Sequence, residues 1–264
     1  MSEINKSVIK ALQIIECFNS DDTELSLAEL CRRTGISKAA AHRLISSLAS
    51  RGFLEQNPET HKYYIGAVAF QIGMRCLRAD YLKQRVTVYL EELMRLTGET
   101  SHFGVLDMVE KVAIQLHNVE CNRPVRVAVR DGTRVPLHCT AIGKVLLAWM
   151  EPDLMESIIR RLEFRKYTDA TITDPNEFRK HLEIVRKQGY ALNCCEGNEG
   201  VMCISAPVFD VRNEVIGGLG ISGNYQDLYL RMSELIEVVT EIASNFSKSI
   251  GYKGSELRVK ANIV

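Results

Sequence analysis

The sequence predicts a mixed α+β protein in two parts: an N-terminal winged helix-turn-helix and a larger C-terminal α+β domain built on an antiparallel sheet. Three short helical patterns within residues 7–51 are followed at once by a turn-rich hairpin. At Ser101 the apolar period changes from helical to alternating, and strands then arrive as sequence neighbours, interleaved irregularly with helices. A length of 264 residues agrees with two domains, because single cores stop growing at around 250 residues.

Val8, Leu12, Ile15 and Cys17/Phe18 recur at helical spacing and give a first helix over residues 7–18. Ser26-Leu27-Ala28-Glu29 is a capping box, in which the serine hydroxyl and the glutamate satisfy each other's orphan amides, so a second helix starts at Leu27 and stops near Gly35. Ser37 caps a third helix to about Arg51, with Ala41, Leu44, Ile45 and Leu48 as its inward stripe. Residues 53–56 and 62–65 flank Asn57-Pro58-Glu59-Thr60-His61 and form a hairpin, the wing. These elements define a domain over residues 1–66. Val68, Ile72 and Cys76 mark a linker helix over residues 67–80 and are the expected subunit contact. A second domain occupies residues 81–252: a helix through Val86, Leu90, Leu93 and Leu96, strands at 103–108, 112–119 and 124–130, and helices at 140–150, 153–162 and 176–188. Strands at 201–209 and 215–222 and a long closing helix at 228–250 complete it, and residues 253–264 form a tail.

Apolar residues make up 46% and charged residues 25%, which excludes disorder for the bulk of the chain. The 33 basic and 33 acidic side chains cancel, so affinity for nucleic acid has to come from a local patch. No apolar run approaches the ~20 residues of a membrane span, and the N-terminus lacks a signal-peptide core, so a cytoplasmic protein without membrane contact is expected. The eight cysteines sit mostly in apolar stretches, none paired at metal-knuckle spacing, and read as reduced thiols. Neither a metal nor a cofactor is expected.

The one-signed patch lies between Glu29 and Glu55. No carboxylate interrupts it, while Arg32, Arg33, Lys38, Arg43 and Arg51 are cationic. The stripe of the third helix leaves Lys38, Ala39, His42, Arg43 and Ser46 on the outer face, where a recognition helix presents its N-terminal residues to bases in the major groove. Ser37 and Ser46 add hydroxyls for phosphate. The alternative is a solvated helix in a protein-binding winged domain, with Arg43 paired to a carboxylate such as Glu55 on the hairpin.

In the second domain Thr140-Ala141-Ile142-Gly143-Lys144 is a capped helix start, and the free amides of Ala141 and Ile142 with the positive dipole end favour a carboxylate. Gly218-Leu219-Gly220-Ile221-Ser222-Gly223 spells a dinucleotide fingerprint but lacks the βαβ context, and Gly143-Lys144 lacks the hydroxyl and first glycine of a phosphate loop. His138, Cys139, Glu196 and Cys203 match no metal-ligand spacing. An enzyme acting on a small acid through Cys203 or His138 is the rival reading.

Gly35-Ile36-Ser37-Lys38 through Ala41-His42-Arg43-Leu44-Ile45, the run from Pro136 to Ala148, Gly189-Tyr190-Ala191-Leu192, Glu196, Gly200-Val201-Met202-Cys203-Ile204 and Ala206-Pro207-Val208-Phe209-Asp210 together resemble the IclR family of bacterial transcriptional regulators. The likeness runs from about Ser7 to Tyr252 and is greatest to members that regulate sugar-acid catabolism. It implies a GAF-like C-terminal domain, double-stranded operator DNA as partner, self-association as a dimer or tetramer, and a small carboxylate effector, a sugar acid or α-keto acid, with aromatic-acid and glyoxylate-type ligands as alternatives. It further implies that the effector sits between the helix start at Ala141 and Ile142 and the strands carrying Cys203 and Ser222, with Asn193 nearby. Ala39 and Ala40 stand where many members carry serine and threonine, and Asn193 and Gly220 where many carry acidic or hydroxyl residues.

Overall fold

The computed structural model of the protein describes residues 5–18, 22–74 and 77–254, which fall into two compact units, Met1–Asp80 and Tyr81–Val264. In the first unit α1 (Lys6–Glu16), α2 (Leu27–Thr34) and α3 (Lys38–Ser50) precede the hairpin β1 (Leu54–Gln56) and β2 (Tyr63–Ile65), and α4 (Ala67–Met74) follows. The capping box forms as the sequence predicts: the Ser26 hydroxyl accepts from the Glu29 amide at 3.2 Å, and the Glu29 carboxylate accepts from the Ser26 amide at 2.8 Å. Gly35, at φ 70, ends α2 in the left-handed conformation that glycine adopts without strain.

Ile14, Leu25, Leu30, Ile36, Ala41, Ile45 and Leu54 close this small core. Of the stripe expected on helix α1, Cys17 and Phe18 at its end pack against this core, but the N-terminal part is phased differently. Ile14 faces the core, whereas Val8 and Leu12 are 54% and 48% exposed. The helix carries two apolar faces, and packing against α3 selects the one containing Ile14, a choice that periodicity alone does not make. Ser37 also departs from expectation. It occupies the N-cap position of α3 in extended backbone, yet its side chain makes no capping bond. Ala40 at the third helical position offers no carboxylate to hold the hydroxyl in place. The wing tip is clasped by Glu24, which accepts from Asn57 Nδ2 at 3.0 Å and Thr60 Oγ1 at 3.2 Å. In the stretch expected to link the domains, Val68 is half-buried against Gly52, Ile72 is exposed, and Cys76 lies outside the described residues.

The second unit begins in α5 (Leu77–Thr97) and contains β3 (Thr100–Asp107), β4 (Val112–Val119), β5 (Arg134–Val135), α6 (Ala141–Ala148), α7 (Pro152–Ile159), α8 (Pro175–Gln188), β6 (Ala191–Cys194), β7 (Val201–Phe209), β8 (Val215–Asn224), α9 (Tyr225–Leu230) and α10 (Met232–Ser249). Its sheet runs in the order β5-β4-β3-β8-β7-β6 with antiparallel pairing throughout. Alternation sorts the strands into two faces. Phe103, Ile204, Leu219 and Ile221 pack with Leu90, Val239 and Phe246 on one side, while Ala113 and Ala191 pack with Ile142, Val145 and the helices α7 and α8 on the other.

Three expectations are corrected here. Residues 124–130 form no strand despite the alternation of Val125, Val127 and Val129. Val125 is 86% exposed, and the open edge of β4 is taken instead by residues 132–135, through Gly132, Thr133 and β5. A strand is present at Ala191–Cys194, too short and mixed to declare itself. The closing helix is two helices parted at Arg231, whose guanidinium donates to the Thr97 carbonyl at 3.0 Å. The dinucleotide-like glycines lie within β8, Gly218 and Gly220 paired on both sides and Gly223 to β7, and no βαβ unit surrounds them.

Candidate nucleic-acid interface and acid-binding site

On α3 the side chains of Ala41 and Ile45 are buried, and Ser37, Lys38, Ala39, His42, Arg43 and Ser46 are all exposed. The six residues singled out by the sequence therefore share one solvent face with a cationic edge. Arg43 makes no ion pair among the described residues. Glu55, its suggested partner, instead accepts from the Tyr64 hydroxyl at 3.0 Å and the Ala67 amide at 3.3 Å. Arg33, by contrast, is engaged within the fold, bonded to Asp22 at 2.9 Å and to the Cys17 carbonyl at 3.2 Å. The uncapped start of α3 leaves the Ser37 hydroxyl and the first helical amides facing water, an arrangement that suits a phosphate.

In the second unit Thr140 caps α6: its hydroxyl accepts from the Gly143 amide at 3.2 Å and donates to the Pro136 carbonyl at 2.6 Å. The amides of Ala141 and Ile142 stay at the open end of the helix, in residues 1% and 2% exposed. Helix α6 lies across β7 and β8, with Ile142 against Gly104 and Gly218. On that sheet face the pairing register places Thr100, Ser222, Cys203 and Asn193 in one row across β3, β8, β7 and β6. Three of the predicted residues are thus brought into contact. Cys203 Sγ lies 3.2 Å from Ser222 Oγ, and Asn193 Nδ2 lies 3.8 Å from Cys203 Sγ. Asn193 Oδ1 accepts from the Glu196 amide at 2.8 Å, which fixes the amide so that its NH2 faces the row. No hydrogen bond joins the Ala141 or Ile142 amides to this row.

His102, opposite Gly220 one register row along β3, reaches the row through Ser222 and was missed by sequence reasoning. Its Nε2 lies 2.7 Å from Ser222 Oγ. Burial holds the imidazole down to about 4, so it is neutral, and burial pushes the Cys203 thiol up to about 11, so it stays protonated. The only sequence signal for His102 is a histidine inside a buried strand, and its meaning depends on a register the sequence does not show.

Behind the row sits an ion pair. Lys144 Nζ, fully buried, donates to Glu196 Oε1 at 2.5 Å and to the Leu192 carbonyl at 2.9 Å. Thr168 and Thr171 hydroxyls bond the Glu196 carbonyl, at 3.3 and 2.6 Å, and hold the turn after β6. His138 is placed elsewhere: its Nε2 meets the Arg165 carbonyl at 3.0 Å and its ring lies beside Phe164 and Tyr167. No bond connects His138 with Cys203. Among the described residues no group of three or more His, Cys, Asp or Glu could hold a metal ion, and no helix is long and apolar enough to cross a membrane.

Comparison with known proteins places both units. The model of the IclR helix-turn-helix domain matches residues 7–58, and that of the bacterial transcriptional regulator IclR C-terminal region matches residues 74–248. The HTH-type transcriptional regulator XynR of Escherichia coli is 35% identical over 219 residues, 83% of this chain and 86% of that one. The HTH-type transcriptional regulator KdgR of Escherichia coli is 34% identical over 249 residues, 93% of each chain. A crystal structure of an IclR transcriptional regulator from Silicibacter sp. TM1040 superposes with a TM-score of 0.83 at 25% identity, covering 94% of this chain and 98% of that one. With its helix-turn-helix and its C-terminal sheet domain both matched, the chain belongs to the IclR family of bacterial transcriptional regulators.

Proposed function

We propose that the protein is a cytoplasmic, homo-oligomeric regulator of a catabolic operon, in which residues 1–66 bind operator DNA and residues 81–252 bind a small organic acid that biases that affinity. Residues 67–80 link the two. The observation that carries the reading is the buried row Ser222–Cys203–Asn193, joined by His102 through the Ser222 hydroxyl, beneath a helix whose first amides are open, a neutral cradle of donors for a carboxylate taken out of water. Ala141 and Ile142 supply backbone donors, Asn193 and Ser222 side-chain donors, and Cys203 a weak polar contact beside the carbon chain. On the DNA side Lys38, Ala39, His42 and Arg43 face bases, and Ser37 and Ser46 face phosphate. The coupling is a linkage between two sites and is reciprocal in binding free energy.

Support for a regulator over an enzyme is chemical as well as familial. Cys203 is held as a thiol, and its hydroxyl neighbour Ser222 is the group that meets His102. The test is fluorescence anisotropy of the pure protein on DNA from upstream of its own and adjacent genes, with sugar acids and α-keto acids added in turn. Specific retention that one acid shifts, with that acid recovered unchanged, is the expected result. Turnover of the acid without DNA retention overturns the reading in favour of an enzyme.

A further inference from the structure

At the end of β6 the chain places two thiols side by side. Cys194 is the last residue of the strand and pairs with Met202, and Cys195 opens the turn that leads to β7. Both are free and half-buried. In an extended strand neighbouring side chains point to opposite faces, which would hold the two sulfurs apart. Cys195 instead has φ 62, a left-handed conformation that glycine or asparagine usually supplies. Relative to extended backbone at about −140°, that φ swings the Cys195 side chain by about half a turn, onto the side of Cys194. The conformation is held at both ends: the Cys195 amide donates to the Val201 carbonyl at 2.9 Å, and the Cys195 carbonyl accepts from the Thr168 hydroxyl at 2.7 Å. Backbone strain secured in this way by its surroundings is characteristic of functional positions.

The other thiols of this unit are placed differently. Cys139 packs against Gly197 of the same turn, but it is 1% exposed and burial pushes its thiol up to about 11. Cys203 is engaged by Ser222 Oγ at 3.2 Å, and the buried Cys121 by Thr100 Oγ1 at 3.6 Å. Two thiols fall short of the ligand set of a structural zinc site, and among the described residues no group of three or more His, Cys, Asp or Glu could hold a metal ion. What two neighbouring thiols can do without a third ligand is give up two electrons. Adjacent Cα atoms lie about 3.8 Å apart, below the roughly 4.4–6.8 Å span of an ordinary disulfide. A bond between them is therefore strained and readily reduced, a property of labile, regulatory disulfides and not of structural ones.

We propose that Cys194 and Cys195 form a redox-active vicinal dithiol, a modification site that a hydroperoxide oxidises to a reversible disulfide. Burial raises the Cys194 thiol, so the first attack falls to Cys195. The Cys195 sulfur, as thiolate, takes one peroxide oxygen. The O–O bond breaks, and the other oxygen departs as an alcohol, or as water from hydrogen peroxide, with the proton that Cys195 gave up. The Cys194 sulfur then attacks the Cys195 sulfenic acid: the S–S bond forms, the S–O bond breaks, and the hydroxyl leaves as water with the Cys194 proton. Two thiols have lost two protons and two electrons, the peroxide has gained them, and a small dithiol reverses the change by exchange. The ring closes between Asn193 and Glu196, inside the turn that holds the partner of Lys144. Nothing in this chemistry depends on the acid site.

The experiment treats the reduced full chain with a small excess of hydrogen peroxide, blocks the remaining thiols with iodoacetamide under denaturing conditions, and cleaves after glutamate for mass spectrometry. That cleavage isolates residues 184–196, which contain Cys194 and Cys195 and no other cysteine. The expected result is an unalkylated 184–196 fragment lighter than its reduced form by the two lost hydrogens, and full recovery of its alkylation after dithiothreitol. Cys194→Ser is expected to stop at a Cys195 sulfenic acid that dimedone traps, and Cys195→Ser to leave Cys194 alkylatable. Three results overturn the proposal. One is a 184–196 fragment joined to a fragment bearing Cys139 or Cys203. Another is a doubly alkylated fragment after an exposure that fully oxidises glutathione. The third is sulfinic acid at Cys195 of the parent with no disulfide formed.

Discussion

The imidazole Nε2 of His102 lies 2.7 Å from the hydroxyl of Ser222, and neither residue is more than 4% exposed. Desolvation pushes the ring down from its ordinary 6.5 to about 4. Between those values the unfolded chain binds the proton and the folded chain does not, so stability is full above pH 6.5 and is lost as the pH falls toward 4. His181 is likewise lowered to about 4 by burial, and burial lowers His138 too. Urea midpoints measured between pH 4.5 and 7.5 should fall on the acid side, with each such histidine contributing at most about 1.4 kcal/mol per pH unit. His102→Gln should flatten the slope, and an unaltered slope would mean that His102 titrates freely in the fold.

Lys144 and Glu196 make the most demanding electrostatic contact in the second unit. Removing one partner by Lys144→Met should destabilise by about 3–5 kcal/mol, since it leaves a carboxylate buried without its cation. Changing both, Lys144→Met with Glu196→Gln, should recover most of that loss. Guanidinium denaturation of the single and double variants measures this directly, and additive losses in the double variant would show that the two residues are not coupled.

Arg43→Ala should weaken operator binding by about 1–3 kcal/mol and relax preference at one base pair if the guanidinium reads a guanine edge. A uniform loss across sequences, with a smaller salt slope, would assign it to phosphate instead. Because Glu55 is occupied by Tyr64 and Ala67, the melting temperature should not move. Anisotropy titrations at several salt concentrations separate these outcomes.

Asn193→Ala and Ser222→Ala should each weaken the acid by about 1–3 kcal/mol, as expected when a charged acceptor loses one donor. Operator affinity without the acid should stay near that of the parent. Thermal shift at fixed acid concentration is the quick check: saturation at 100 times Kd stabilises by about 2.7 kcal/mol, and that increment should shrink in both variants.

Self-association should involve the exposed apolar residues of the first unit. Ile72 is 52% exposed on α4, and Val8 and Leu12 stand out from α1. One recognition helix reads too few bases, and paired half-sites about one helical turn apart supply the rest. Ile72→Asp should lower the sedimenting mass at micromolar concentration together with affinity for a palindrome. A parent protein that sediments as a monomer and still binds the palindrome fully would refute this.

Local chemistry made much of the fold legible. Ser26 and Glu29 announce a helix start that needs no tertiary information, and the Asn57-Pro58 tip announces its hairpin. Legibility failed where the deciding partner is distant. The alternation of Val125, Val127 and Val129 resembles a strand until one knows that residues 132–135 already occupy the edge of β4. The last helix parts at Arg231, whose side chain meets the Thr97 carbonyl 134 residues away in sequence. Within the proposed site, Asn193, Cys203 and Ser222 were singled out through family likeness, and the register brings them into one row. His102, Ser205 and Gln115 belong to the same face, but only the strand pairing says so.

The Lys144–Glu196 pair also constrains how such a protein can change over generations. Neither residue can be replaced first without crossing a deficit of about 3–5 kcal/mol, a large share of the 5–15 kcal/mol that holds a domain together. Descendants are therefore expected to keep the pair or to exchange both members at once. The Asn193 side chain, by contrast, is anchored by the backbone amide of residue 196, a bond that survives exchange of the side chain there. The neutral rows at residues 102, 115 and 205 carry no such debt. Drift at those positions meets no such barrier, while the charged pair behind them stays fixed.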